Sequence, residues 1–74
     1  NPSTKIEYYI PKTSDVKFTF YDVNGKIIFE SANEKKVKGN YEYRFEGSGL
    51  SSGVYFYKLT AGDFSETKSM IILK

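Results

Sequence analysis

The sequence predicts an all-β protein, a small sandwich of six to seven antiparallel strands. Three observations point there. Apolar and polar residues alternate with a period of two through most of the chain, β-branched and aromatic residues fill the alternating stretches, and Gly, Asn, Asp and Pro punctuate them at short intervals. No window carries a helical stripe of apolar residues. Seven Tyr and six Phe among 74 residues supply the bulk that so short a chain needs, since a domain of this size buries only about 60% of the surface its unfolded chain exposes.

Residues 4–10 read as the first strand, with Ile6, Tyr8 and Ile10 inward, Lys5, Glu7 and Tyr9 outward, and Pro11 as its stop. Residues 15–23 repeat the pattern with Val16, Phe18 and Phe20 inward and Lys17, Thr19 and Tyr21 outward. Asn24-Gly25 then predicts a type I′ hairpin turn, which needs positive φ at both central positions, and a third strand over residues 26–31. Residues 32–39 form a polar connection in which Glu34, Lys35, Lys36 and Lys38 surround Val37, with room for a short seventh strand near Val37. Residues 40–46 alternate again, Tyr41, Tyr43 and Phe45 against Glu42, Arg44 and Glu46, before a loop marked by Gly47, Gly49 and Gly53. Residues 54–60 place Tyr55, Tyr57 and Leu59 on one face and Val54, Phe56 and Lys58 on the other, with Phe56 half covered. Ala61-Gly62-Asp63 is a tight turn, and residues 64–73 are the last strand. Short strands at this spacing favour an immunoglobulin-like or fibronectin III-like sandwich over a closed barrel, and the whole chain, 1–74, reads as one domain.

Composition excludes most chemistry. With no His and no Cys, the chain cannot build a Ser-His or Cys-His nucleophile, an ordinary zinc site, an iron–sulfur cluster or a disulfide, so no catalytic, cofactor-binding or metal residue is assigned. Eleven basic residues against nine acidic ones give a net charge of +2. The lysines are scattered and Arg44 stands alone, whereas nucleic-acid binding asks for clustered, bidentate arginines; no nucleic-acid partner is expected. No apolar run is long enough to span a membrane, and no signal peptide opens the chain, so export requires one further upstream. Gly47, Gly49 and Gly53 are followed by a strand, not by the helix whose amides a phosphate loop uses. Asp22-Val23-Asn24-Gly25 opens like a calcium loop, but Asn33 stands where the closing glutamate belongs, and the hairpin turn explains it. Glu42 and Glu46 lie on an outward face as solvated charges.

Four segments carry a resemblance: Asn1-Pro2-Ser3-Thr4-Lys5-Ile6 ahead of a strand closed by Pro11, Tyr21-Asp22-Val23-Asn24-Gly25-Lys26, Leu50-Ser51-Ser52-Gly53-Val54-Tyr55, and Met70-Ile71-Ile72-Leu73-Lys74. In this order and spacing the whole chain resembles the type A C-terminal sorting domain of proteins exported by the type IX secretion system of Bacteroidetes and related bacteria. The Ig-like domain of flagellar hook-capping proteins shares the turn and the Gly-Val-Tyr strand. The resemblance implies an address without catalytic activity or cofactor at the end of a larger cargo protein. An outer-membrane translocon would recognise it, a sortase would remove it by cutting a linker upstream, and the cargo would be released or joined to surface lipopolysaccharide after passing the periplasm. It implies no membrane insertion. The residues it singles out for recognition are Gly53, Tyr55, Lys68, Met70, Ile71, Ile72, Leu73 and Lys74, with Asp22 and Gly25 as the family's turn motif.

Each match has a physical rationale: Gly25 permits positive φ, Gly53 admits the chain to a crowded strand, and the Tyr55 hydroxyl can satisfy a buried backbone group. The last strand, apolar and terminal, suits recognition by strand addition at an edge. Two departures stand out. Many members carry Lys or Arg directly before the final apolar run, where this chain has Ser69; Lys68 is one place earlier and so points to the opposite face. The Pro-Asn-Pro that often precedes such domains is cut short at Asn1.

A carbohydrate-binding module or a structural Ig-like accessory module of a secreted protein is the alternative. An address must end its polypeptide, and an end at Lys74 directly after the last strand favours the address. For sugar binding, Tyr9, Tyr21 and Phe56 are the candidates, because they fall opposite the inward sets. Three rings on separate strands make a poor pyranose platform. Incubation with insoluble cellulose, chitin or xylan is therefore expected to show no retention; clear binding that is lost in Tyr21→Ala would establish the sugar-binding alternative.

Overall fold

The alternation is realised as seven antiparallel strands in the computed structural model, which describes residues 3–73. They are β1 (Ser3–Ile10), β2 (Ser14–Tyr21), β3 (Ile27–Glu30), β4 (Glu34–Lys36), β5 (Gly39–Glu46), β6 (Gly53–Ala61) and β7 (Phe64–Ile72). β1 and β5 pair with each other as a two-stranded sheet, from Ser3 opposite Glu46 to Ile10 opposite Gly39. The remaining strands form a sheet in the order β3-β2-β6-β7, and β4 lies on the same side of β2 as β3, pairing its first half while β3 pairs its second. Pro11, which has no N–H to extend a ladder, ends β1, and residues 11–13 carry the chain from one sheet to the other. The result is the all-β sandwich that the sequence predicts.

The sheets meet through aromatic side chains. Phe20 of β2 stacks on Phe45 of β5 with ring centroids 4.0 Å apart, Phe18 stacks on Tyr43 at 4.7 Å, and Tyr8 of β1 meets Phe18 edge-on at 5.2 Å. Around these rings Ile6, Ile10, Val16, Tyr55, Leu59, Ala61, Met70 and Ile72 complete the buried cluster. Each large side chain buried contributes about 1.5–3 kcal/mol, and each well-placed ring pair about 0.5–1.5 kcal/mol more. The inward sets expected for the first, second, fifth and sixth strands all face this core, with Tyr8, Tyr41, Tyr43 and Tyr57 only partly buried at its margin.

Three local expectations are corrected. The turn after β2 is not type I′, because Asn24 does not have positive φ; among residues 22–26 only Gly25 does, at +84°. The Asp22 carboxylate accepts the N–H groups of Asn24 and Lys26, at 2.9 and 3.0 Å, and its carbonyl accepts that of Gly25 at 3.0 Å. This favours a type I turn closed by a left-handed glycine, one of the usual three-residue hairpin loops. The same contacts end β2 at Tyr21 rather than at residue 23 and delay β3 to Ile27, and the register slips between Phe20, opposite Phe29, and Tyr21, opposite Ile27. The short seventh strand expected near Val37 is present as β4, which ends just before that residue. Lys36 is held there by Glu34 at 3.2 Å and by the Tyr41 ring at 5.1 Å, while exposed Val37 turns the chain into β5 and its carbonyl accepts the Tyr41 hydroxyl at 2.6 Å. The last strand stops at Ile72, leaving Leu73 outside the ladder.

Burial raises the pKa of the Tyr8 and Tyr43 hydroxyls, with the Lys36 charge partly offsetting the effect at Tyr8. A group whose pKa is higher folded than unfolded contributes stability that is complete below its unfolded value, about 10 for tyrosine, and is lost as pH rises through the folded value. Urea midpoints are expected to hold up to about pH 10 and fall above it. Tyr43→Phe is expected to blunt that fall; a midpoint equally sensitive in wild type and variant would rule out Tyr43 as a source.

Candidate functional site

The segments singled out by the resemblance lie on different strands, and register brings most of them to one end of the sandwich. Gly53 sits opposite Ile72, Val54 opposite Ile71, and Tyr55 opposite Met70. Tyr21 sits opposite Phe56, so the turn holding Asp22 and Gly25 projects beyond β2 toward that same end. β1 also starts there: Ser3 pairs with Glu46, from which residues 47–52 lead directly into Gly53. Entry to β1 and exit from β7 thus share one end. Lys68 is set back from it, opposite Tyr57, and its position in the alternation puts it on the same face as Met70 and Ile72, away from the face of Ser69 and Ile71. Lys74, Asn1 and Pro2 lie outside the described residues.

The terminal apolar run is divided by strand parity. Met70 and Ile72 are buried, at 7% and 1% exposure, whereas Ile71 and Leu73 are open to solvent at 66% and 70%. Tyr55 has its ring in the core, and its hydroxyl donates to the Ser51 carbonyl at 2.7 Å, pinning the loop in which the Leu50 N–H closes a turn on the Gly47 carbonyl at 2.9 Å. A tyrosine bonded back to the backbone a few residues upstream recurs as a corner in Ig-like sandwiches. Gly53 serves a different purpose from the one expected. A Cβ there would meet nothing within 4 Å, so the strand entrance is not crowded; the requirement is a φ of +156°, which residues with a side chain rarely adopt.

An apolar row was not foreseen. On the outer face of the larger sheet, Ile27, Tyr21 and Phe56 stand side by side across three strands, next to the Val54–Ile71 pair. Ile27, Val54 and Ile71 are exposed there, and Tyr21 and Phe56 half-buried. Tyr21, Val54 and Phe56 read as outward residues in the sequence, but the facing of Ile27 and Ile71 and the adjacency of all five depend on a register between strands that no single strand encodes. Tyr21 and Phe56 are therefore neighbours, while Tyr9 lies on the outer face of the other sheet, so the three sugar-binding candidates do not share a surface. At the opposite end of the sandwich an apolar hollow of about 520 Å³ is lined by Tyr9, Ile10, Pro11, Leu59, Ala61 and Phe64, remote from the shared end. Among the described residues no group of three or more acidic side chains is placed to hold a metal ion, and no helix is long and apolar enough to cross a membrane.

A family model, the secretion system C-terminal sorting domain, matches residues 1–73. The chain belongs to the type IX sorting-domain family. No curated protein and no solved structure matches it. Sorting domains of this family are not enzymes; they interact with the type IX secretion machinery, are attached to an upstream cargo, and belong to secreted proteins that transit the cell envelope. In this sorting domain the turn, the Gly-Val-Tyr strand entrance and the terminal run form one continuous end of the fold.

Because the strain at Gly53 is in the backbone and not in packing, Gly53→Ala and Gly53→Val are each expected to lower unfolding free energy by about 1–3 kcal/mol in urea denaturation, with little difference between them. A large excess loss for valine would restore the crowding explanation.

Proposed function

We propose that the 74-residue chain acts as a single domain and as the address of a larger cargo polypeptide. The outer-membrane translocon reads it, a sortase cuts the linker upstream of it, and the cargo passes through the periplasm to the cell surface or the medium. The match over residues 1–73 is the observation that carries this reading. The assembly of Asp22, Gly25, Gly53, Tyr55, Met70, Ile71, Ile72 and Leu73 at one end supports that end as the recognition surface. Within it the residues divide by role. Met70 and Ile72 anchor the strand in the core, Tyr55 and Gly53 shape its neighbour, and Ile71 and Leu73 present apolar groups to the translocon. Lys68 and Lys74 contribute charge on either side of the terminal run.

Fusion of residues 1–74 and a short upstream linker to a periplasmic reporter with its own signal peptide is expected to send the reporter out of a type IX-competent cell. Deleting residues 70–74 tests this poorly, because it also removes the two buried anchors Met70 and Ile72, so a loss of export would not separate unfolding from lost recognition. Ile71→Ser and Leu73→Ser change exposed side chains, at a stability cost of roughly 0.5 kcal/mol or less, and are expected to retain the reporter in the periplasm with the domain folded. Lys68→Glu and Lys74→Glu test the charges; normal export of both would show that the lysines are not read. Retention of the intact fusion in the periplasm would overturn the sorting function itself.

A further inference from the structure

β7 leaves one edge of the larger sheet unpaired among the described residues. From Phe64 to Ser69 all of its side chains are exposed. Glu66 and Lys68 share the inner face with Met70 and Ile72, and no ion pair within the described residues engages either. Inward charges on an edge strand normally guard it against unwanted pairing, most effectively when they are alike. Here they are opposite, and they stand symmetrically about Thr67. Residues 64–70 read Phe-Ser-Glu-Thr-Lys-Ser-Met: apolar, hydroxyl, acid, hydroxyl, base, hydroxyl, apolar.

That order is complementary to itself when run antiparallel. A two-fold axis through Thr67 sets Thr67 beside Thr67 of a second copy, each Glu66 beside a Lys68, each Ser65 beside a Ser69, and each Phe64 beside a Met70. Directly opposed residues on one face interact most strongly, and opposite charges there are favourable while like charges are not. Centring the axis on Glu66 would oppose two glutamates, and centring it on Lys68 would oppose two lysines. A slip of one residue would set inner side chains against outer ones. We infer that β7 is a self-association edge, which joins two copies of this chain about Thr67 into one continuous sheet. The interface is isologous and small, which places it in the weak, reversible class. It does not rest on the sorting function.

Sedimentation equilibrium of the chain over micromolar to millimolar concentration is expected to show a monomer–dimer equilibrium. Glu66→Lys alone and Lys68→Glu alone each set like charges opposite and are expected to abolish it, with unchanged circular dichroism because both positions are exposed. An equimolar mixture of the two variants restores both ion pairs and is expected to dimerise, as is the double reversal in one chain. Register is read independently: in a chain without natural cysteines, Thr67→Cys is expected to form a disulfide dimer on mild oxidation, and Ser65→Cys and Ser69→Cys are not. A wild-type chain that stays monomeric at millimolar concentration, or a dimer that survives both single reversals, would overturn the inference, and in the first case Glu66 and Lys68 serve only as edge guards.

Discussion

The stack of Phe20 on Phe45 and Phe18 on Tyr43 is the contact on which the rest of the structure depends. A two-stranded ribbon such as β1–β5 is marginal in water by itself, and so is a single larger sheet with one apolar face open. The rings convert the two into layers of one core. They also decide what becomes of the far edge: Met70 and Ile72 of β7 are buried only because the smaller sheet closes over the same cluster that holds Phe20, Phe45 and Tyr55. The end of the fold that carries the family's motifs is thus a by-product of the aromatic seam, even though none of its rings is itself part of the terminal run.

The two layers are unequal, and the inequality explains the distribution of polarity. Neighbouring strands lie about 4.8 Å apart, so a pair spans about 5 Å between axes while the path β3-β2-β6-β7 spans about 14 Å. The narrow layer covers the middle strands: Val16, Phe18 and Phe20 on β2 and Tyr55, Leu59 and Ala61 on β6 are all buried. At the flanks the cover fails. Phe29 on β3 is nearly half exposed, and the first six residues of β7 are exposed on both faces. Glu66 and Lys68 occupy positions whose parity would put them in the core of a wider sandwich, and they are charged because nothing lies above them.

Strand existence and facing were legible in the sequence because alternation is a property of one strand at a time: Ile6 and Ile10, or Val16, Phe18 and Phe20, declare their face without reference to any partner. Several features were not. The turn at Asn24-Gly25 follows the Asp22 carboxylate, which captures two N–H groups and outweighs the dipeptide's own preference. Gly53 stands where it does for a dihedral angle, which leaves no trace in hydropathy. The row Ile27, Tyr21, Phe56 and the pair Val54–Ile71 required the order and register of four strands. The motifs of the candidate site could be named from the sequence, but their meeting at one end could not, since it is fixed by long-range pairing.

The terminal run shows how one short segment can serve fold and signal together. In the unfolded chain residues 70–73 are four consecutive apolar side chains, indistinguishable in exposure. Strand formation assigns them to alternate faces, and the aromatic seam then makes the two faces unequal: Met70 and Ile72 are withdrawn into the core opposite Tyr55 and Gly53, and Ile71 is left beside Val54 in solvent. Substitutions at 70 and 72 must therefore act through stability, and those at 71 and 73 through the surface. The same strand is divided along its length as well. Its last residues are fixed by the core, and its first are free of it, so the edge proposed to pair and the end proposed to be recognised lie side by side on β7 and overlap only at Lys68 and Met70.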